Sequence, residues 1–102
     1  MLLTKTSYEP NDVITLKTTA GEEVVARIAE ETDTYYRLTK PHVLINTPQG
    51  GFGLAPAVFS IGPNAASVVL NKHAVAFHGP TESELANQYL AKTTGLTIAK
   101  AL

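Results

Sequence analysis

Residues 13–40, VITLKTTAGEEVVARIAEETDTYYRLTK, read as three β-strands joined by tight turns. Ile14, Leu16 and Thr18 alternate with Val13, Thr15 and Lys17, the period of two that sends successive side chains to opposite faces of a strand. Thr19-Ala20-Gly21-Glu22 predicts a reversal, because glycine reaches positive φ without a side-chain clash. From Glu23 to Glu30 the alternation resumes, with Val24, Ala26 and Ile28 on one face and Val25, Arg27 and Ala29 on the other. Thr32-Asp33-Thr34 breaks it. Tyr35 to Lys40 starts a third strand, which Pro41 bends or interrupts before His42-Val43-Leu44-Ile45 carries it on. Three consecutive strands with short connections make a meander.

Further along the chain, Pro48-Gln49-Gly50-Gly51-Phe52-Gly53 predicts a loop, since its glycines and proline oppose any regular element. Leu54 to Ile61 reads as a fourth strand with Pro56 near its start, a position that an edge strand tolerates. Gly62-Pro63-Asn64 turns the chain, and Ser67 to Phe77 is the fifth strand. Its alternation places Val68, Leu70, Lys72 and Ala74 on one face and Val69, Asn71, His73 and Val75 on the other. The last element changes type. Thr81 with Glu84 three residues on predicts a capping box after Pro80, opening a helix over about 82–94 that Gly95 stops. Leu85 and Tyr89, and Ala86 and Leu90, give that helix an apolar stripe. Met1 to Pro10 is a poor helix, and Leu96 to Leu102 alternates too weakly to assign. A flat sheet of this size would leave one face unprotected. The expectation is therefore a mainly β fold: a small, strongly bent five-stranded barrel over about 11–78 with a C-terminal α-helix, in a single domain spanning 1–102.

Composition bounds the function. The chain has 102 residues, 17% charged and 44% hydrophobic, with a formal net charge of −1. Globular chains are typically about 25% charged, so this one is short of surface charge. The shortage is local: from Pro41 to Asn71 there is no Asp, Glu, Lys or Arg. A stretch of that length must be hidden in the core or leave an uncharged surface that other copies of the chain would cover. The chain contains no cysteine, which removes disulfides, thiolate nucleophiles and Cys-ligated metal centres. Met1 to Lys5 is not the start of a signal peptide, and no apolar run approaches the ~18 residues of a membrane span, so a soluble cytoplasmic protein is expected. Net charge near zero argues against coating nucleic acid by bulk electrostatics and leaves room for a small basic site.

Few residues point to catalysis. The glycine-rich loop at 48–53 opens no helix and precedes no P-loop lysine, so it is not a phosphate cradle. His73 and His78 are five apart, an odd separation that puts them on opposite faces of an ideal strand and prevents a shared metal. No serine sits in a Gly-x-Ser-x-Gly elbow, and no carboxylate pair flanks a histidine. Glu22, Glu23, Glu30, Glu31 and Asp33 cluster around Arg27; they read as the solvated acidic ends of a strand pair, without the spacing of a calcium loop. No enzyme activity, cofactor or metal is expected.

Asn71-Lys72-His73-Ala74-Val75 is the informative segment. It resembles the aromatic-Lys-His-Ala-Ile pattern of the second Sm motif in Sm-like (LSm) proteins of the bacterial Hfq type: Lys72, His73 and Ala74 match directly and Val75 conservatively. Leu16 and Gly21 match the first Sm motif, Ala26 stands where glycine is usual, and Ile28 where a branched apolar residue is usual. Asp33-Thr34-Tyr35 resembles the motif's Asp-x-aromatic turn with one residue inserted before it. The resemblance runs from about Val13 to His78 and suggests a divergent member, of the kind carried by phages. Its departures are the missing N-terminal helix, Arg37 where the family has Asn, and Asn71-Lys72 where archaeal and eukaryotic members have Arg-Gly.

The resemblance implies an SH3-like barrel that forms a homo-oligomeric ring of five to seven subunits by pairing the fourth strand of one copy with the fifth of the next, with no membrane partner. It further implies binding of single-stranded RNA, U- or A-rich, in RNA chaperoning or regulation in the cytoplasm, the host's if the chain is phage-encoded. Carried over by position, Tyr35 would stack a base, Lys72 would contact phosphate or base, His73 would line the pore, and Arg37 would add a secondary contact. The competing expectation is a ring of the same fold that serves as an interaction scaffold without binding RNA.

Overall fold

Ile14 and Leu16 are fully buried while Thr15 and Lys17 face out, so the alternation along the first strand, β1 (Val13–Thr18), has the polarity expected of it. A turn with Gly21 at φ +100° leads to β2 (Glu23–Glu31), paired antiparallel so that Leu16 opposes Val24 and Ile14 opposes Ala26. The structure, a computed structural model, describes residues 7–58, 60 and 67–94. β3 (Tyr35–Asn46) pairs antiparallel with β2, and β4 (Phe52–Pro56) folds back on the second half of β3. β5 (Val68–Asn71) pairs with the first half of β3. A 3-10 turn (Lys72–Ala74) leads to β6 (Val75–Pro80), which pairs with β1, and α1 (Ser83–Thr94) follows.

These pairings close the sheet into a barrel-like form. β5 lies on β3 and β6 on β1, yet only three residues separate β5 from β6. The sheet β3-β2-β1 must therefore curl until its two sides meet across that turn. Mainly β architecture with a C-terminal helix is thus as the sequence predicts, but with six strands in place of five. The expected fifth strand, Ser67 to Phe77, breaks at Lys72, because one straight strand cannot pair with β3 and then β1. Asn71 makes the corner: its side-chain oxygen accepts the His73 N–H at 2.8 Å, and the Lys72 N–H donates to the Thr34 carbonyl at 2.8 Å. The turn also resets the alternation. Val75, expected on the face of Val69, instead packs on the core with Val68 and Leu70.

The fourth strand is displaced from its expected position. It starts at Phe52, inside the expected loop, and Pro56 is its last residue rather than near its start. Gly50 and Gly51, both at positive φ, tighten the reversal enough for Asn46 to pair with Phe52. The expected turn at Gly62-Pro63-Asn64, the strand end at Phe59 and Ile61, the stop at Gly95, the tail after it and Met1 to Thr6 lie outside the described residues.

Two bulges shape β2 and β3. Opposite Val25 and Arg27, β3 offers His42 and Thr39, so Lys40-Pro41 is an extra step, with Lys40 at φ +47°. Pro41 sits where the ladder is already interrupted and its missing N–H costs no strand bond, so β3 runs through it. Between Ile28 and Glu30 the extra residue is on β2. It turns Glu30 outward opposite Arg37 and brings Glu31 opposite the inward-facing Tyr36.

Ile14, Leu16, Val24, Ala26, Ile28, Tyr36 and Leu38 form the core, each worth about 1.5–3 kcal/mol for the larger apolar side chains on burial. The other face of β2 has its own contact: Val25 and Tyr89 are both fully buried, and His42 meets Tyr89 edge-on at 5.7 Å. The helix stripe therefore docks as expected, but its start differs from the predicted capping box. The Glu82 carboxylate accepts the N–H groups of Glu84 and Leu85, each at 3.0 Å, which holds its pKa below the usual value. Thr81 Oγ1 is 2.9 Å from Thr15 Oγ1, and its N–H reaches the Val13 carbonyl at 3.1 Å. Thr81 is tied to β1, and the first-turn N–H groups of Glu84 and Leu85 go to Glu82 instead.

Candidate functional site

Because Tyr36 and Leu38 point into the core, Tyr35 and Arg37 face outward on β3. They lie opposite Asn71 and Val69 of β5. The Arg37 guanidinium lies 5.5 Å from the Tyr35 ring centroid, and one of its terminal nitrogens donates to the Tyr35 hydroxyl at 3.3 Å. Its Nε donates to Glu30 Oε1 at 3.1 Å. These bonds, to Glu30 first and Tyr35 second, raise the Arg37 pKa further. The pair with Glu30 is exposed, so water and salt weaken it, and a guanidinium with five N–H donors keeps several to offer a phosphate.

Lys72 stands at the start of the 3-10 turn, next to the Asn71–Tyr35 register pair, and turns the other way. Its Nζ lies 2.8 Å from Glu31 Oε2 and 5.0 Å from the centroid of the Tyr36 ring. The Lys72 side chain is 28% exposed and that of Glu31 only 2%. The other Glu31 oxygen accepts the backbone N–H groups of Ser7 at 2.8 Å and Tyr8 at 3.0 Å. Tyr8 packs on Tyr36 and places its hydroxyl 2.6 Å from His78 Nδ1. Burial first, then the charge of Glu31, pushes the Tyr36 phenol up to about 12 and raises that of Tyr8 as well. Both phenols are therefore neutral hydrogen-bonding groups at neutral pH.

His73 is exposed, and its backbone N–H is engaged with Asn71. The four residues singled out from the sequence thus occupy one rim of the barrel, where β3 meets the β5–β6 corner. Tyr35 and Arg37 form a stacked pair there, His73 projects from the turn, and Lys72 is held by Glu31. The rim offers an aromatic face, a guanidinium and an imidazole, which suits contact with bases and phosphates. Among the described residues, no group of three or more His, Asp or Glu could hold a metal ion.

Glu31, Tyr8, Tyr36 and His78 were not among the RNA-binding residues expected from the sequence. The acidic cluster read as solvated divides in the structure: Glu30 is at the surface and Glu31 is buried. The bulge before them, which decides which of the two faces inward, has no mark in the sequence. Tyr8 and His78 lie 70 residues apart and meet only because β6 returns beside β1. No protein-family model matches the chain, and no curated protein matches it in sequence.

Proposed function

We propose that the chain is an Sm-like protein that assembles into a homo-oligomeric ring of five to seven copies and binds short single-stranded RNA, U- or A-rich, by scaffolding or annealing it. The observation that carries the reading is the Tyr35–Arg37 pair, held outward on β3 beside Asn71 and His73. Tyr35 supplies a π-face for a base and Arg37 the cation for its phosphate. Lys72 and His73 extend the rim.

Assembly has separate support. Among the described residues, β4 pairs only with β3 and β6 only with β1, which leaves each with an unpaired edge. Phe52 on β4 is 67% exposed and Phe77 on β6 is 71% exposed. Unpaired edges with large apolar side chains are surfaces that a second copy can cover, and repetition around a ring would add up positive charge that one chain does not show.

Fluorescence anisotropy with oligo-U and oligo-A at two salt concentrations tests RNA binding. Micromolar or tighter affinity that weakens with salt, and falls in Arg37→Ala and Tyr35→Ala, is the expected result; affinity no better than millimolar defeats it. Light scattering that finds a monomer removes the ring. A second reading, a ring that serves as an interaction scaffold without RNA, is favoured by one observation: Arg37 and Lys72 each already face a carboxylate, Glu30 and Glu31. The same titration separates the two.

A further inference from the structure

Three groups converge on Glu31: the Lys72 ammonium on one oxygen, and the N–H groups of Ser7 and Tyr8 on the other. The carboxylate is almost wholly withdrawn from water. A charge so placed is tolerated only while its partners remain, since breaking a buried pair leaves an uncompensated ion, which is far more costly than the intact pair is favourable. The same side chain therefore ties the N-terminal segment to the barrel and occupies Lys72, the cation that would add to Arg37 in the RNA reading. Tyr8, carried on that segment, covers the Tyr36 ring and reaches His78. Backbone bonds from Asn11 N–H to the Ile28 carbonyl at 2.7 Å and from Ile28 N–H to the Asp12 carbonyl at 2.8 Å fix the segment's other end.

We propose that Glu31 is an autoinhibitory latch: it withholds Lys72 from anionic ligands and couples their binding to release of the segment at Ser7–Tyr8. The part concerning RNA rests on the function proposed above. An RNA phosphate competes with the Glu31 carboxylate for one ammonium. When Lys72 swings to the phosphate, Glu31 is left without a cation and turns out to water. Ser7 and Tyr8 then lose their acceptor, and the Tyr8 ring is freed from Tyr36. Coupling of this kind is reciprocal, so whatever loosens the latch strengthens the ligand.

Glu31→Gln tests the gate, because the amide oxygen can still accept from Ser7 and Tyr8 while the competing charge is gone. Oligo-U should bind about tenfold more tightly than to the wild type, the worth of a hydrogen bond to a charged group. Its log affinity should fall about 0.7 more steeply with log salt for each added phosphate contact. Binding by the variant alone also supports the latch. Equal or weaker affinity in Glu31→Gln beside a wild type that binds overturns the latch and leaves the RNA reading standing. No binding by either overturns the RNA reading and the gate with it.

A second arm needs no RNA. Lys72→Met should speed amide exchange at Ser7 and Tyr8 about tenfold, measured by NMR, while the double variant Lys72→Met/Glu31→Gln restores protection. The amides of β1 and β2 report that each variant stays folded. Unchanged exchange in Lys72→Met, or no restoration in the double variant, overturns the coupling whatever RNA does.

Discussion

Tyr89→Phe removes one oxygen atom and should destabilise the protein by about 2 kcal/mol, because that oxygen repairs a break in the β2–β3 ladder. Arg27 and Thr39 are paired in register at the edge of the Lys40-Pro41 bulge, where the ladder slips by one residue. The Tyr89 hydroxyl fills the gap: it accepts the Arg27 N–H at 3.1 Å and points its own proton at the Thr39 and Lys40 carbonyls, at 2.8 and 3.0 Å. Phenylalanine keeps the ring edge-on to His42 but takes a partner from the Arg27 N–H and from the Thr39 carbonyl. Each orphaned buried group costs about 1–3 kcal/mol, reduced here because Arg27 is only half-buried and some water can reach it. In a domain of this size 1 kcal/mol corresponds to about 4–8 °C, so Tm should fall by about 10 °C. Urea denaturation followed by far-UV circular dichroism measures the difference, with an unchanged m-value showing that the unfolded state is the same. A change below about 0.5 kcal/mol would show that the hydroxyl is not a strut between the helix and the ladder.

The same physics gives three further expectations. Tyr36, Tyr8 and Tyr89 all have raised pKa values, chiefly through burial, so the folded state holds their protons more tightly than the unfolded chain. Their contribution is complete below the ordinary value of 10.0 and is lost as pH rises through each raised folded value, about 12 for Tyr36, so unfolding monitored in alkali should coincide with the late part of the tyrosinate absorbance rise. Glu82 has the opposite sign: its lowered pKa stabilises the helix start above the ordinary 4.5, and that advantage disappears as pH falls through the folded value. Helical dichroism of Glu82→Ala should therefore be weaker than that of the wild type at neutral pH and converge with it in acid; a gap that persists in acid would refute capping by the carboxylate. Asn71→Ala should cost about 1 kcal/mol by removing the acceptor that makes the β5–β6 corner, as loss of a helix cap does, and equal stability in a melt would show that Thr34 alone holds the turn.

How far the fold could be read depended on where the chain obeys a simple period. The shared faces of Ile14 and Leu16, and of Val24, Ala26 and Ile28, were legible because strands with one buried face must alternate, and each of these residues lies before a bulge or between bulges. The reading failed just past an irregularity. Glu31 follows the Ala29 bulge, Val75 follows the corner at Lys72, and the strand at Phe52 starts inside a glycine-rich stretch whose tightness depends on two residues at positive φ. The rim fared in the same way. Tyr35 and Arg37 face outward by the simple parity of β3, whereas His73 lies in the turn that breaks the expected fifth strand, and the engagement of Lys72 with Glu31 depends on a carboxylate moved from one face of β2 to the other.

Alternation, turn chemistry and the helix stripe are local, and they were enough to establish a β-rich meander with a C-terminal helix and a charge-free middle. Closure is not local. That β5 and β6 must stand beside β3 and β1, that Thr81 bonds Thr15 and leaves the cap to Glu82, and that Tyr89 reaches the Arg27 backbone all follow from segments distant in the chain arriving at one place. A single inserted residue at Ala29 shows why such facts escape a linear reading: it changes no composition and no pattern beyond one step, yet it buries the carboxylate that holds both Lys72 and the N-terminal segment. Side-chain parity is set by counting residues along a strand, but the count restarts wherever pairing with another strand slips, and that slip is settled by packing between strands.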